Sequence, residues 1–320
     1  SLWDNEPILI KPMLAFPAKP FDSKDYLMEI KYDGTRGIAY LDNENKKLML
    51  LNRRGKFFQY RYPEFSNLLD NINAKRAILD GEVVVFKDGK PDFYELEKRE
   101  QTENASKIEL FSKISPAVYV AFDILHLNGE DLLNRPLIER KKLLEETLSE
   151  DNYLIYSRYV IGKGKEFFSK IKRKGLEGIM AKKIDSFYQQ GRSKDWLKIK
   201  ATNTLDAVVI GYIASDKEDL SALLLGVYEK GKIKYIGRIG TGFDEEKRKE
   251  ILAMLKKLGR YNYNIDLRLG KDKKAFMVRP EVVVEVKYME ITKDKMLRAP
   301  SFVRIRSDKP AKECILEGEL

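Results

Sequence analysis

The octapeptide E-I-K-Y-D-G-T-R, from Glu29 to Arg36, sets one lysine among a carboxylate, an arginine and a Gly-containing turn. A primary amine attacks phosphorus well only when deprotonated, so Lys31 would need its pKa lowered by burial or by neighbouring cations. Arg36 and a bound metal would supply them. Asp33-Gly34 is a favoured tight-turn pair flanked by strand-like residues, which predicts a hairpin that holds Lys31 at a strand end. Three further pieces follow in order. L-D-G-E puts Glu82 at a strand turn, where a carboxylate can bind ribose hydroxyls or a metal, and E-G-I-M-A-K-K puts Glu177 beside a strand leading to basic residues. In W-L-K-I-K the two-residue period of a strand sets Lys198 and Lys200 on one face, well placed to grip a triphosphate. Each piece has an ordinary reading too: Glu82 and Glu177 as solvated turn residues, Lys198 and Lys200 as an exposed strand face. Their occurrence together and in this order is what favours chemistry.

Something must hold these side chains in register. Up to about residue 200 the chain reads as short strands punctuated by turns, over 26–32, 47–52, 78–86, 118–125, 178–183 and 195–200. A helix is predicted over 136–148, with Pro136 in the first turn and Leu137, Leu143 and Leu144 as anchors, and another over 167–174. Strands with dispersed helices and no regular alternation indicate an α+β domain. Past the polar stretch 201–204 the texture changes to successive apolar strands with one helix over 244–258, which suits a small all-β OB-fold barrel whose closure hides its edges. The expected division is 1–201 and 202–320, with 201–204 as a hinge.

Composition removes several mechanisms. The single cysteine, Cys314, excludes an internal disulfide, and the single histidine, His126, leaves no zinc cluster and no Ser-His-Asp or Cys-His machinery. His126 follows the apolar run V-A-F-D-I-L and reads as structural. Chemistry must therefore come from Lys, Arg, Asp, Glu and backbone groups. The net charge of +10 favours polyanionic partners. It is spread evenly, since 36 basic and 31 acidic residues precede position 201 and 24 and 19 follow it. No apolar run reaches membrane-span length and no secretory signal opens the chain, so the cytoplasm is the expected compartment, near the nucleoid and without a membrane partner.

The ordered series K-Y-D-G-T-R, N-R-R-G, L-D-G-E, F-D-I-L, E-G-I-M-A-K-K and W-L-K-I-K resembles the motifs of covalent nucleotidyltransferases, most closely ATP-dependent DNA ligases. The stretches D-S-F-Y-Q-Q-G-R-S-K-D-W-L-K-I-K and L-R-A-P-S-F-V-R-I-R-S-D-K-P are similar to the ligase module of bacterial and archaeal non-homologous end-joining enzymes. The resemblance implies a nucleotidyltransferase (ATP-grasp-like adenylation) domain of antiparallel sheets with helices, followed by the OB-fold barrel. It implies a phosphoramidate between Lys31 and AMP, with Glu29 and the backbone at Ile30 reading the adenine edge and Phe122 stacking on its face. Arg36 and Glu82 would hold the ribose, and Arg53, flanked by Arg54, a phosphate. Glu177, with Glu82, would bind Mg²⁺ or Mn²⁺, while Lys198, Lys200 and Arg192 would take the triphosphate of ATP. Arg304, Arg306, Asp308 and Lys309 would swing over ATP to orient the departing pyrophosphate, which makes domain motion part of the expectation.

The partner this implies is nicked double-stranded DNA, met by a monomer, with a Ku-type end-binding protein or a repair polymerase or primase as further partners. An RNA ligase or an mRNA-capping guanylyltransferase shares the lysine and the motif order. A non-catalytic, basic nucleic-acid-binding module is the alternative outside enzymology.

Overall fold

A computed structural model describes residues 1–267, 269 and 274–316 of the chain. It divides into two compact units, Ser1–Ala201 and Thr202–Leu320. In the first, one sheet comprises β1 (Met13–Pro17), β2 (Ser23–Ile30), β10 (Tyr159–Gly162), β11 (Gly178–Lys183) and β12 (Gly191–Lys200), ordered β1-β12-β11-β2-β10. A second comprises β3 (Thr35–Asp42), β4 (Lys47–Leu51), β5 (Arg76–Lys87) and β7 (Ala117–Leu127), ordered β4-β3-β5-β7. Short strands β6 (Lys90–Pro91), β8 (Glu130–Asp131) and β9 (Leu154–Tyr156) sit on its margins. Pairing is antiparallel except for β1 with β12 and β7 with β9.

Alternation along the strands produces a layered unit. Met13 and Trp196 of the first sheet meet Ile38, Tyr40, Ile78 and Leu125 of the second in a buried core between the sheets. The outer face of the second sheet packs on Phe65 and Leu68 of a 3₁₀ stretch, Leu96 of α1 (Phe93–Gln101) and Leu144 of α3 (Leu137–Thr147). The outer face of the first packs on Phe167, Phe168 and Ile171 of α4 (Gly164–Arg173). Sequence reading did not find α1 or α2 (Ala105–Ile114), although each has a side-chain N-cap: Asp92 accepts from Glu95 N and Asn104 from Lys107 N.

The predicted hairpin at Asp33-Gly34 does not form. β2 pairs with β10 and β11, and β3 pairs with β4 and β5, so the dipeptide carries the chain from one sheet to the other. Gly34 is required for close approach: a Cβ there would lie 2.2 Å from the carbonyl oxygen of Val83.

The second unit runs β15-β14-β13-β17-β20 through β13 (Thr204–Ala214), β14 (Leu220–Glu229), β15 (Lys232–Ile239), β17 (Val283–Lys287) and β20 (Ser301–Ile305). β16 (Ala275–Met277) adds to β13, and β18 (Glu290–Ile291) pairs with β19 (Leu297–Arg298). The helix α5 (Glu245–Lys256) begins after Asp244, whose carboxylate accepts from Lys247 N. Phe302 N donates to Thr241 O at 3.0 Å, which brings the segment after β15 against β20 at the other end of the strand path. A partly open five-stranded barrel of OB type results.

Candidate active site

Strand parity gathers the predicted residues. On the second sheet Arg36 and Glu82 are direct partners across β3 and β5, and Ile38 stands opposite Asp80. Ile38, Tyr40 and Ile78 belong to the core between the sheets, so Arg36, Asp80 and Glu82, two residues apart along each strand, share that inner face. On the first sheet Met28, Ile179, Ala181, Leu197 and Ile199 pack outward beside α4. Glu29, Lys31, Lys182, Trp196, Lys198 and Lys200 therefore take the inward parity. Glu82 lies within β5 rather than at a turn, and Phe122 lies within β7.

Lys31 follows the last residue of β2, and its backbone N–H donates to Gly178 O at 2.9 Å. That bond ties it to the start of β11, immediately after Glu177. Its Nζ stands 2.6 Å from Glu177 Oε1. Gly178 permits this junction, because a Cβ there would lie 2.1 Å from Ile199 O. Burial works to lower the Lys31 pKa, but Glu177 and then Glu82 and Asp33 outweigh it and raise the value. The value is thus raised where the sequence led us to expect it lowered: three carboxylates hold the amine charged.

Behind Lys31, Glu29 is 1% exposed and faces two lysines, with Lys182 Nζ 3.0 Å from Oε2 and Lys141 Nζ 3.3 Å from Oε1. Burial opposes its ionisation, yet Lys141 and Lys182 hold its pKa below the usual carboxylate value. Each carboxylate oxygen faces one ammonium and, with two lone pairs, keeps capacity to accept a further bond. Lys141 is fully buried and also donates to Ser157 O at 2.8 Å and Phe122 O at 3.2 Å, which ties α3 to β7 and to the turn after β9. The Phe122 ring lies beneath Lys182 Nζ at 4.1 Å and Arg36 at 4.9 Å, with the edge of Trp196 alongside. A stacked base would share that ring with these cations.

Arg36 is anchored. Nε and Nη2 donate to buried Asp80 at 2.7 and 2.6 Å, Nη2 also donates to Met13 O, and Tyr188 donates to the same carboxylate at 2.6 Å. Burial disfavours the charge, but Asp80 more than compensates and raises its pKa. Arg53 is half-buried in the turn after β4 while Arg54 is exposed, so Arg53 is the inward member of the pair. Arg192 Nη1 donates to Ala15 O. Half-buried Lys198 and Lys200 pair across β11 with Met180 and Gly178. Ile30 contributes backbone pairing to Ile179.

Arg304, Arg306, Asp308 and Lys309 lie in the second unit. Arg306 binds Asp308 through Nε and Nη2 at 2.9 Å each, Lys309 reaches Asp206 at 2.7 Å, and Arg304 lies 3.5 Å from Glu285. Burial alone would raise the pKa of Asp206, but Arg306 and Lys309 hold it well below the usual carboxylate range.

The geometry adds three residues that sequence reading did not single out. Lys182 stood inside a quoted motif. Lys141 sits in line with Leu137 and Leu144 on the buried face of α3, a cation at an apolar-face position. Asp80 adjoins Glu82 by strand parity. For metal, Glu82 and Glu177 are hard oxygen donors beside Lys31, and among the described residues no group of three or more His, Cys, Asp and Glu forms a ready cage. Two carboxylates suit a cation that keeps water and phosphate oxygens, as Mg²⁺ and Mn²⁺ do.

Residues 12–200 match the family model described as ATP dependent DNA ligase domain, and residues 216–309 that of the ATP dependent DNA ligase C terminal region. The chain is 33% identical over 315 residues to the multifunctional non-homologous end joining protein LigD of Mycolicibacterium smegmatis, covering 96% of this chain and 39% of that protein. It is 32% identical over 333 residues to a DNA ligase of Thermococcus fumicolans, covering 95% of this chain and 57% of that protein. The chain thus spans less than two thirds of the length of these relatives. Among solved structures, mycobacterial DNA ligase D complexed with ATP and MES aligns with a TM-score of 0.64 at 28% identity, covering 96% of this chain and 98% of that one.

Proposed function

From the premise that this chain belongs to the ATP-dependent DNA ligase family, we propose that it seals nicks between a 5′-phosphate and a 3′-hydroxyl, with Lys31 carrying AMP. The observation behind this reading is the seat of Lys31, held by its backbone to Gly178 and 2.6 Å from Glu177 on the inner side of the first sheet. Lys31 must shed a proton before it attacks, and Glu177, once drawn to a cation, would no longer hold that proton on Nζ. Nζ then bonds to the α-phosphorus of ATP as the bond to the β-phosphate oxygen breaks and pyrophosphate leaves. AMP next passes to the 5′-phosphate of the nick, and the 3′-hydroxyl attacks that phosphorus, closing the strand and releasing AMP.

The chain's own groups divide the work. Glu29, ionised between Lys141 and Lys182, suits the 6-amino group of adenine and repels the oxygen that guanine has there. Phe122 supplies the ring face and the backbone at Ile30 the base edge. Arg36, fixed by Asp80, and Glu82 face the ribose, and Arg53 a phosphate. Lys198, Lys200 and Arg192 neutralise the triphosphate. Glu82 and Glu177 would hold Mg²⁺ or Mn²⁺, which supplies charge stabilisation at the phosphoryl oxygens. Arg304, Arg306, Asp308 and Lys309 are proposed to serve the departing pyrophosphate, which requires Arg306 and Lys309 to exchange Asp206 for phosphate oxygens.

The matching family models favour a DNA ligase over an RNA ligase, a capping guanylyltransferase or a binding module. The resemblance to LigD adds end joining as the setting, with a Ku-type protein and a repair polymerase or primase as proposed partners. The test is sealing of a labelled nicked duplex with ATP and Mg²⁺ or Mn²⁺, with DNA or RNA on the 3′-hydroxyl side. Sealing of the all-DNA nick is expected; sealing only when the strands are RNA would overturn the substrate.

A further inference from the structure

The charge that looks evenly spread between the two units is concentrated at one place within the first. Lys163, Lys165, Lys170, Lys172, Arg173 and Lys174 are all exposed along α4 and its flanks, against one acidic residue, Glu166. These twelve positions, six basic and one acidic, carry +5 of the chain's net +10. Among the described residues none of the six takes part in an ion pair, while other surface cations such as Arg61, Arg135, Arg158 and Arg298 do.

Two ordinary explanations fall short. Cations near a helix C-terminus complement the macrodipole, which accounts for Lys170, Lys172, Arg173 and Lys174 but not for Lys163 and Lys165, which sit at the opposite end against the dipole. Nor are these stems packing a core, because Phe167, Phe168 and Ile171 fill the buried face and the cations are exposed around the rest of the helix. The ridge continues at both ends. A Cβ on Gly175 would lie 3.3 Å from Lys90 Nζ, and one on Gly162 would lie 3.7 Å from the Lys24 side chain.

We propose that the outward face of α4 is a track for the phosphate backbone of duplex DNA beside the nick. This rests on the ligase reading above and adds to it where the duplex is held. The ten-residue helix is about 15 Å long, some four base steps at about 3.4 Å each. Only two residues separate Lys174 from Glu177, so the C-terminal end of α4 leads directly along the chain to the carboxylate that contacts Lys31. A single strand would call for exposed aromatic rings to stack on, and the two aromatics of α4 are turned into the sheet. A row of cations without such rings suits phosphates held in place by a duplex.

The test compares the wild-type chain with a Lys170→Gln/Lys172→Gln/Arg173→Gln/Lys174→Gln variant. Binding to a dye-labelled nicked duplex is followed in EDTA from low to moderate salt, and self-adenylation by ATP is measured separately. Each phosphate that is no longer neutralised removes about 0.9 from the slope of log affinity against log salt, so the slope should fall by roughly 3 to 4. Affinity near 0.1 M salt should drop at least about tenfold while self-adenylation stays within about twofold. An unchanged slope overturns the track. If the variant is misfolded, the pair Lys163→Gln/Lys165→Gln at the other end is read instead, with an expected fall of about 1 to 2 in slope. An equal weakening of binding to an unnicked single strand, or wild-type binding to anionic phosphatidylserine vesicles as tight as to the duplex, would likewise overturn it. Failure of wild type to adenylate at all would sink the ligase reading and leave the binding comparison to decide the track.

Discussion

Replacing Lys141 should change how stability responds to pH, by an amount set by its burial. Desolvation, the largest influence, and Lys182 push its pKa down to about 8 from 10.5, against the opposing pull of Glu29. With the folded value below the unfolded one, the unfolded chain binds more protons than the native chain between these pH values, so unfolding free energy rises with pH. The full cost of the buried charge is present below pH 8 and is relieved above it. Between pH 7 and pH 9 one such group adds about 1.4 kcal/mol, at about 1.36 kcal/mol per pKa unit. For a unit of this size that is roughly 3–6 °C in Tm. Both tryptophans, Trp3 and Trp196, are buried in the first unit, so their fluorescence follows its melting selectively. Wild type, Lys141→Met and Lys141→Arg would be melted at pH 7 and pH 9. The methionine has no proton to lose and the arginine keeps its charge throughout, so both variants should lose the gain whatever their absolute stability. A variant with the same rise as wild type would refute the assignment of that proton to Lys141.

Three other outcomes follow from particular contacts. Asp80→Asn removes the buried anion that holds half-buried Arg36 and should cost about 3–5 kcal/mol in urea unfolding; a loss under about 1 kcal/mol would show that the pair is not holding the arginine. Gly34→Ala forces a Cβ to within 2.2 Å of Val83 O and should abolish self-adenylation, whereas Gly55→Ala, with φ at 75° and open space around it, should cost only about 1–2 kcal/mol. Normal adenylation in Gly34→Ala would contradict the close approach. The thiol of Cys314 is buried and its pKa raised to about 12, so it should stay unreactive to iodoacetamide at pH 8 until the second unit unfolds; rapid native labelling would contradict its burial.

Local periodicity made much of the fold legible. The strand at 178–183 has the bounds read from sequence, and Asp244 marks the start of α5 as its N-cap. Asp33-Gly34 misled because a turn signal says nothing about which strands then pair: β2 and β3 find partners far along the chain instead of each other. The α+β and OB-type class survived that error, since it depends on element types and not on this one connection. At the site, the two-residue period was enough to group Lys198 with Lys200. It could not show that Asp80 anchors Arg36, 44 residues away, or that Lys141 reaches Glu29 from a helix. Ionisation was least legible. The state of Lys31 depends on three carboxylates, of which Glu177 arrives from 146 residues downstream.

The central claim is that Lys31 itself accepts AMP. Protein would be incubated with α-labelled ATP and Mg²⁺ or Mn²⁺, denatured, digested and mapped by mass spectrometry, alongside Lys31→Ala. One AMP on the peptide containing Lys31 in wild type, and none anywhere in the variant, is the expected result. Label carried by another residue, or retained in Lys31→Ala, would contradict the account.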